Sequence, residues 1–166
     1  MNIRLTAKLQ HRKTQKLEEG FTLIEMLVVV IIIGILSATA MPSFLSQAAK
    51  TRQSEAKNST GALNRSQQAY YLENQIFADD LTKLSVGVVN SDNYNYVVSG
   101  NDLMNQVANL ATAQQADLKS YAGGVFKSAN NQTTLAILCE ANSVGNVPIN
   151  APTSSSACAN GSQRLQ

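Results

Sequence analysis

Hydrophobic and polar positions divide this chain sharply. Residues 26–36 (MLVVVIIIGIL) carry no polar side chain. The enclosing segment, Phe21 to Met41, has 21 residues, which as a helix at 1.5 Å per residue gives roughly 30 Å, about one bilayer hydrocarbon core. Pro42 follows; it removes a backbone donor and clashes one turn back, so a kink or local melting is expected near residues 38–41. Gly34 reads either as a notch for a neighbouring helix or as a tolerated glycine costing about 1 kcal/mol.

From Ser43 to about Gln75 the pattern predicts a continuing polar helix. Good helix formers recur (Gln47, Ala48, Ala49, Lys50, Glu55, Ala56, Lys57), and Arg52 and Glu55 are spaced for an i,i+3 pair. The apolar stripe is thin: Phe44, Ala48, Ala56, Leu63 and Tyr70, with Gly61 as a weak point. Such a helix needs a partner surface. Phe21 to Gln75 would extend roughly 80 Å unbroken, more than a domain of this size can bury, so it must be anchored or packed between copies. Strand-like segments follow at Tyr94–Ser99, Leu118–Ser128 (broken at Gly123-Gly124) and Thr133–Ala141, while Asn101–Gln115 fits either a loop or a short helix. The expected fold class is α+β: a long N-terminal helix, half transmembrane and half amphipathic, against a small antiparallel sheet.

Composition sharpens this division. The 166 residues are 44% hydrophobic with a net charge of +2, and the mean hydropathy of −0.10 averages an apolar span with a polar remainder. Five basic residues (Arg4, Lys8, Arg12, Lys13, Lys16) and two acids precede Phe21; eight basic and nine acidic residues follow. Without its first twenty residues the chain is near neutral, against a basic nucleic-acid face. His11 is the only histidine and tryptophan is absent, which excludes a histidine-based triad or zinc site beyond the apolar run.

A basic stretch before an apolar run points to a membrane, with the basic side retained in the cytoplasm. Three readings compete. One is a permanent signal anchor. Another is a secretory signal cut at the A-x-A pattern Ala38-Thr39-Ala40, releasing a soluble binding domain or small enzyme beginning at Met41. The third rests on Gly20-Phe21-Thr22-Leu23-Ile24-Glu25. This unit and the apolar helix after it resemble the type IV pilin family, including the pseudopilins of type II secretion. The SYAGGVF and ILCE segments are similar to pilin-like proteins typical of cyanobacteria.

The resemblance implies cleavage by a prepilin peptidase between Gly20 and Phe21, N-methylation of Phe21, and retention of the apolar helix. The implied organisation is a leader over 1–20, a transmembrane and assembly helix over 21–42, and an exported headgroup of the pilin fold over 43–166. Glu25 stands out even without a family. A carboxylate deep in an apolar span costs about 2.5–3.5 kcal/mol, although an acid in the first turn also suits the helix dipole near the headgroups. Cleavage at Gly20 would place a positive amine four residues away. In the family, this acid neutralises the Phe21 amine of a neighbouring subunit, and a proline at the place of Pro42 marks a stretch able to unwind.

Cys139 and Cys158 are the only cysteines. An even pair in an exported domain favours a disulfide, contributing about 3 kcal/mol and pinning the polar tail to the strand of Cys139; free buried thiols or a two-cysteine metal site are the alternatives. Asp79, Asp80 and Asp92 suit part of a calcium site or, more simply, a solvated loop. Three N-x-[ST] matches, at Asn58, Asn64 and Asn131, and the run Thr153–Ser156 are compatible with chance in a chain so rich in Asn and Ser.

The resemblance implies no enzyme activity, cofactor or metal. It implies a structural homopolymer, a helical filament serving motility, adhesion or DNA uptake. Its partners would be the prepilin peptidase, an assembly platform, ATPase motors and an outer-membrane secretin, with the inner membrane as the location before assembly. A pseudopilin is the nearest alternative; the cysteine pair leans against it.

Overall fold

The computed structural model describes residues 22–130 and 133–165; the basic leader, His11, Gly20, Phe21 and the Asn131 sequon lie outside them. Helix α1 runs Leu23–Asn74. A 3-10 turn at Leu81–Leu84 follows. Five strands come next: β1 Tyr94–Ser99, β2 Gln106–Ala113, β3 Tyr121–Lys127, β4 Thr134–Ala141 and β5 Ser162–Arg164. The chain divides into two compact units between Met41 and Pro42. Residues 38–41, where melting is one expectation, are helical.

In the second unit the strands form one antiparallel sheet in chain order, β1-β2-β3-β4-β5. Expectation and structure part in three places. The ambiguous stretch 101–115 contains β2, whose residues are small and buried on both faces (Val107, Ala108, Asn109, Ala111, Ala113), so it lacks the alternation that marks a half-exposed strand. β3 is unbroken at Gly123-Gly124, which pair with Asn109 and Ala108 of β2 and with Leu138 and Ile137 of β4. β5 has only three residues and no apolar pattern.

The buried face of α1 within this unit is Ala49, Ala56, Thr60, Leu63, Asn64, Gln67 and Tyr71. Of the expected stripe, Ala56 and Leu63 are buried and Tyr70 packs at the core's edge, but Phe44 is 74% exposed. The expected stripe counted only apolar residues, whereas three of the buried seven are polar. Each is satisfied inside. Thr60 Oγ1 donates to the Ala56 carbonyl at 2.8 Å. Gln67 closes a two-bond pair with Ala78, donating to its carbonyl at 3.0 Å and accepting from its N–H at 2.9 Å. Asn64 Nδ2 donates to the Ile137 carbonyl at 3.0 Å, and its Oδ1 accepts from Asn109 Nδ2 at 3.0 Å. Around them pack Tyr94, Tyr96, Ala111, Leu118 and Tyr121. Arg52 does not pair with Glu55 as its spacing suggests; its guanidinium reaches Asp117 at 3.0 Å.

The opposite face of the sheet has its own core: Ala122, Ile137, Cys139 and Ile149, bordered by Leu110, Phe126 and Cys158. Residues 142–161 supply Ile149 and Pro152 to this side. Successive strand residues face opposite ways, and β3 uses this at its paired glycines. A Cβ on Gly123 would collide with the Asn64 side chain, and one on Gly124 would lie 3.1 Å from Pro152 Cγ. The paired glycines therefore admit the helix on one side and the tail on the other, where the sequence pattern suggested a break.

Candidate assembly segment

The first unit shows how the sequence starts α1. Thr22 N–H donates to Glu25 Oε2 at 2.8 Å, Thr22 Oγ1 donates to the same oxygen at 2.9 Å, and Glu25 N–H returns a bond to Thr22 Oγ1 at 3.3 Å. The Met26 N–H reaches the Thr22 carbonyl at 3.3 Å. This is a capping box, in which a Thr and a Glu three residues on satisfy each other's otherwise orphaned backbone donors. The signal stands in the sequence as Thr22-x-x-Glu25, a local motif distinct from the charge that marks Glu25 in an apolar span. Glu25 thus has a local structural function within its own chain.

Beyond the cap, every residue from Leu23 to Met41 is exposed, with Leu23 at 85%. The helix is long and apolar enough to cross a membrane. Gly34 faces open space, so no contact among the described residues accounts for it. An isolated helix this apolar needs lipid or other copies around it, since water solvates such a surface poorly.

In the second unit, the cysteines expected to pair do so: Cys139 and Cys158 form a disulfide with their Cα atoms 5.9 Å apart. Cys139 is fully buried. The bridge fastens the tail where it crosses the outer face of the sheet. Beside it, Lys119 Nζ meets Glu140 Oε1 at 2.6 Å, and the Tyr121 hydroxyl lies 3.4 Å from Glu140 Oε2. Burial pushes the phenols of Tyr94, Tyr96 and Tyr121 above the ordinary tyrosine value, with the Glu140 charge adding to the effect at Tyr121.

The acidic loop has local employment. Asp79 pairs with Lys83 at 2.6 Å, and Asp80 caps the 3-10 turn by accepting from Thr82 N–H at 2.8 Å and Thr82 Oγ1 at 2.7 Å. Hydrogen bonding from Lys83 and from Thr82 holds these two carboxyls below the ordinary value. Among the described residues no group of three or more His, Cys, Asp or Glu side chains gathers as metal ligands. Of the sequon asparagines, Asn58 is exposed and Asn64 is buried.

A long apolar helix exposed along its first unit, together with a disulfide-closed antiparallel sheet seated on the polar part of the same helix, defines the class of pilin-like subunits. Family comparison agrees. Residues 53–162 match the family described as type IV pilin-like G and H, and residues 15–41 match the prokaryotic N-terminal methylation motif. The chain belongs to the type IV pilin family. It is 38% identical over 106 residues to the type IV major pilin protein PilA of Myxococcus xanthus, covering 64% of this chain and 46% of that protein. It is 32% identical to the fimbrial protein EcpC of Eikenella corrodens, over 72% of this chain and 73% of that protein. A shorter match, 35% identical over 39% of this chain and 44% of the relative, is to the type II secretion system core protein G of Vibrio cholerae. The chain thus spans about half the length of the Myxococcus and Vibrio relatives and nearly three quarters of the Eikenella one.

Proposed function

We propose that the chain is the precursor of a structural subunit of a retractable type IV pilus, without catalysis of its own. One observation carries the reading: the apolar stretch Leu23–Met41 is exposed throughout and lies inside the matched N-terminal methylation motif. In this reading residues 1–20 are removed by a prepilin peptidase after Gly20, Phe21 is N-methylated, residues 21–42 serve first as a membrane anchor and then as the filament core, and residues 43–166 form the surface headgroup. Polymerisation exchanges lipid around the apolar helix for neighbouring helices of equal apolarity, so subunits can return to the bilayer on retraction. Pro42 supplies a hinge where a backbone hydrogen bond is missing. A platform protein, ATPase motors and an outer-membrane secretin are the implied partners, and the inner membrane is the site of the precursor.

Glu25 carries two functions in this proposal. Within its chain it caps α1; between chains its charge neutralises the Phe21 amine of the next subunit. Two substitutions separate them, because Gln serves in a capping box as Glu does but carries no charge. Glu25→Ala removes both functions and Glu25→Gln only the charge. Both variants should be processed and retained in the membrane yet fail to enter filaments. Wild-type fibre yield from Glu25→Gln would refute the charge function. The whole reading is tested by the intact mass of sheared surface material: a product starting at Phe21 with one added methyl supports it, and one starting at Met41 ends it.

A further inference from the structure

Asn160-Gly161 is the one Asn-Gly step in the sequence, and it occupies the turn between the disulfide and β5. We propose that Asn160 is a site of spontaneous deamidation, a self-modification that alters the turn without any enzyme. Asparagine is among the chemically labile side chains, and the reaction needs an amide nitrogen on the following residue that can approach the side-chain carbonyl. Gly161 meets the need: it has no side chain, its φ is +85°, and no neighbouring atom would contact even an added Cβ. Asn160 is exposed. Both residues border an open hollow of about 230 Å³ between Ala141, Val147 and Ile149, so water reaches the reacting carbon.

In the reaction, the Gly161 backbone nitrogen, giving up its proton to hydroxide, attacks Asn160 Cγ. The Cγ–Nδ2 bond breaks and ammonia leaves, closing a succinimide. Water then opens the ring at either carbonyl. Opening at Cγ yields aspartate; opening at the main-chain carbonyl yields isoaspartate, with the chain running on through Cγ. The net change is one amide and one water for one carboxylate and one ammonium, without oxidation or reduction.

Ring closure requires rotation about the Asn160 backbone. The contacts opposing it are few: Ser162 N–H and Oγ on the Ala159 carbonyl at 3.1 and 2.7 Å, Asn142 N–H on the Gly161 carbonyl at 3.0 Å, and the pairing of β5, a three-residue edge strand. Short edge elements open locally at small cost. The disulfide at Cys158 restrains the turn from one side only. Isoaspartate adds a methylene to the main chain between Ala159 and Gly161, so the closing bond of the turn and the β5 register cannot both survive. Either product adds a negative charge, and the protein acquires a chemical record of its age at this corner.

The test is incubation of the full chain in detergent micelles in mildly alkaline buffer, followed by peptide mapping with fragmentation that distinguishes isoaspartate from aspartate. Asn160 is expected to gain about 1 Da, with isoaspartate in excess, several-fold faster than Asn142 and Asn150 in the same segment, where Ser143 and Ala151 follow. The Asn160→Gln chain should keep its charge profile on isoelectric focusing over the same period. An Asn160 amide that persists, or converts no faster than Asn142 and Asn150, overturns the proposal.

Discussion

Asn64 of α1 sits directly over Gly123 of β3, where an added Cβ would lie 2.7 Å from the Asn64 Cγ. From that position the amide binds strands on both sides, accepting from Asn109 of β2 and donating to the Ile137 carbonyl of β4. The close approach and the hydrogen bonds are one arrangement, so the two residues should be coupled. Gly123→Ala is expected to cost about 2 kcal/mol, as overpacking does. Asn64→Ala leaves the buried Asn109 amide donor without its partner, at about 1–3 kcal/mol. In the double variant the added methyl finds room, and Gly123→Ala should then cost almost nothing. Denaturant unfolding of the four proteins measures the coupling; additive losses would contradict it.

Alkaline pH should unfold the headgroup. Tyr94 and Tyr121 hold their phenols neutral because burial penalises the charged form, and each folded-state pKa lies above the unfolded value of about 10. The stabilisation is complete below that unfolded value. Above it the unfolded chain has released protons that the folded chain retains, so stability falls as pH rises toward the folded pKa. Tyrosinate absorbance from Tyr94 and Tyr121, both buried, should rise only as circular dichroism reports unfolding. Ionisation of these phenols with the fold intact would contradict this.

Cys158→Ser frees the tail at one end. Loss of a loop closed over a sequence separation of 19 costs about 3 kcal/mol in the chain-entropy view. Ile149 and Pro152 should then leave the outer face of the sheet, raising hydrogen exchange in the adjacent β3 and β4. Reductant should lower the melting temperature of the parent protein and leave that of the variant unchanged.

Gln75 ends α1 at φ 58°, the left-handed conformation in which a helix most often places glycine. A side chain there is strained. Gln75→Gly is expected to raise stability by about 0.5–1 kcal/mol, the relieved strain exceeding the added freedom of the unfolded chain. Thermal unfolding checks the sign.

The two halves of the protein were unequally legible. The apolar run announces itself because lipid or neighbouring helices impose a simple demand, uninterrupted hydrophobicity, which Met26 to Leu36 meets. The Thr22–Glu25 cap was also there to be read, since its motif is local. The sheet was harder. Thr60, Asn64 and Gln67 are buried polar residues whose partners lie 4, 73 and 11 residues away, and no periodicity marks the distant ones. Gly123-Gly124 looks like an interruption until the helix and tail are placed above and below it. β2 hides because strands covered on both faces lose their alternation. The disulfide was readable as a pairing, but that the tail it holds roofs a second core was not.

Much of what fastens the helix to the sheet and to its connecting loops is addressed to main chain. Asn64, Gln67, Gln68 and Gln53 each donate to a backbone carbonyl, of Ile137, Ala78, Thr134 and Asp117 respectively. A carbonyl is present whatever side chain its residue carries. The outward-facing residues of this headgroup are therefore free to drift in sequence while the seat on the helix stays the same, so a surface built this way can change its appearance without renegotiating its fold.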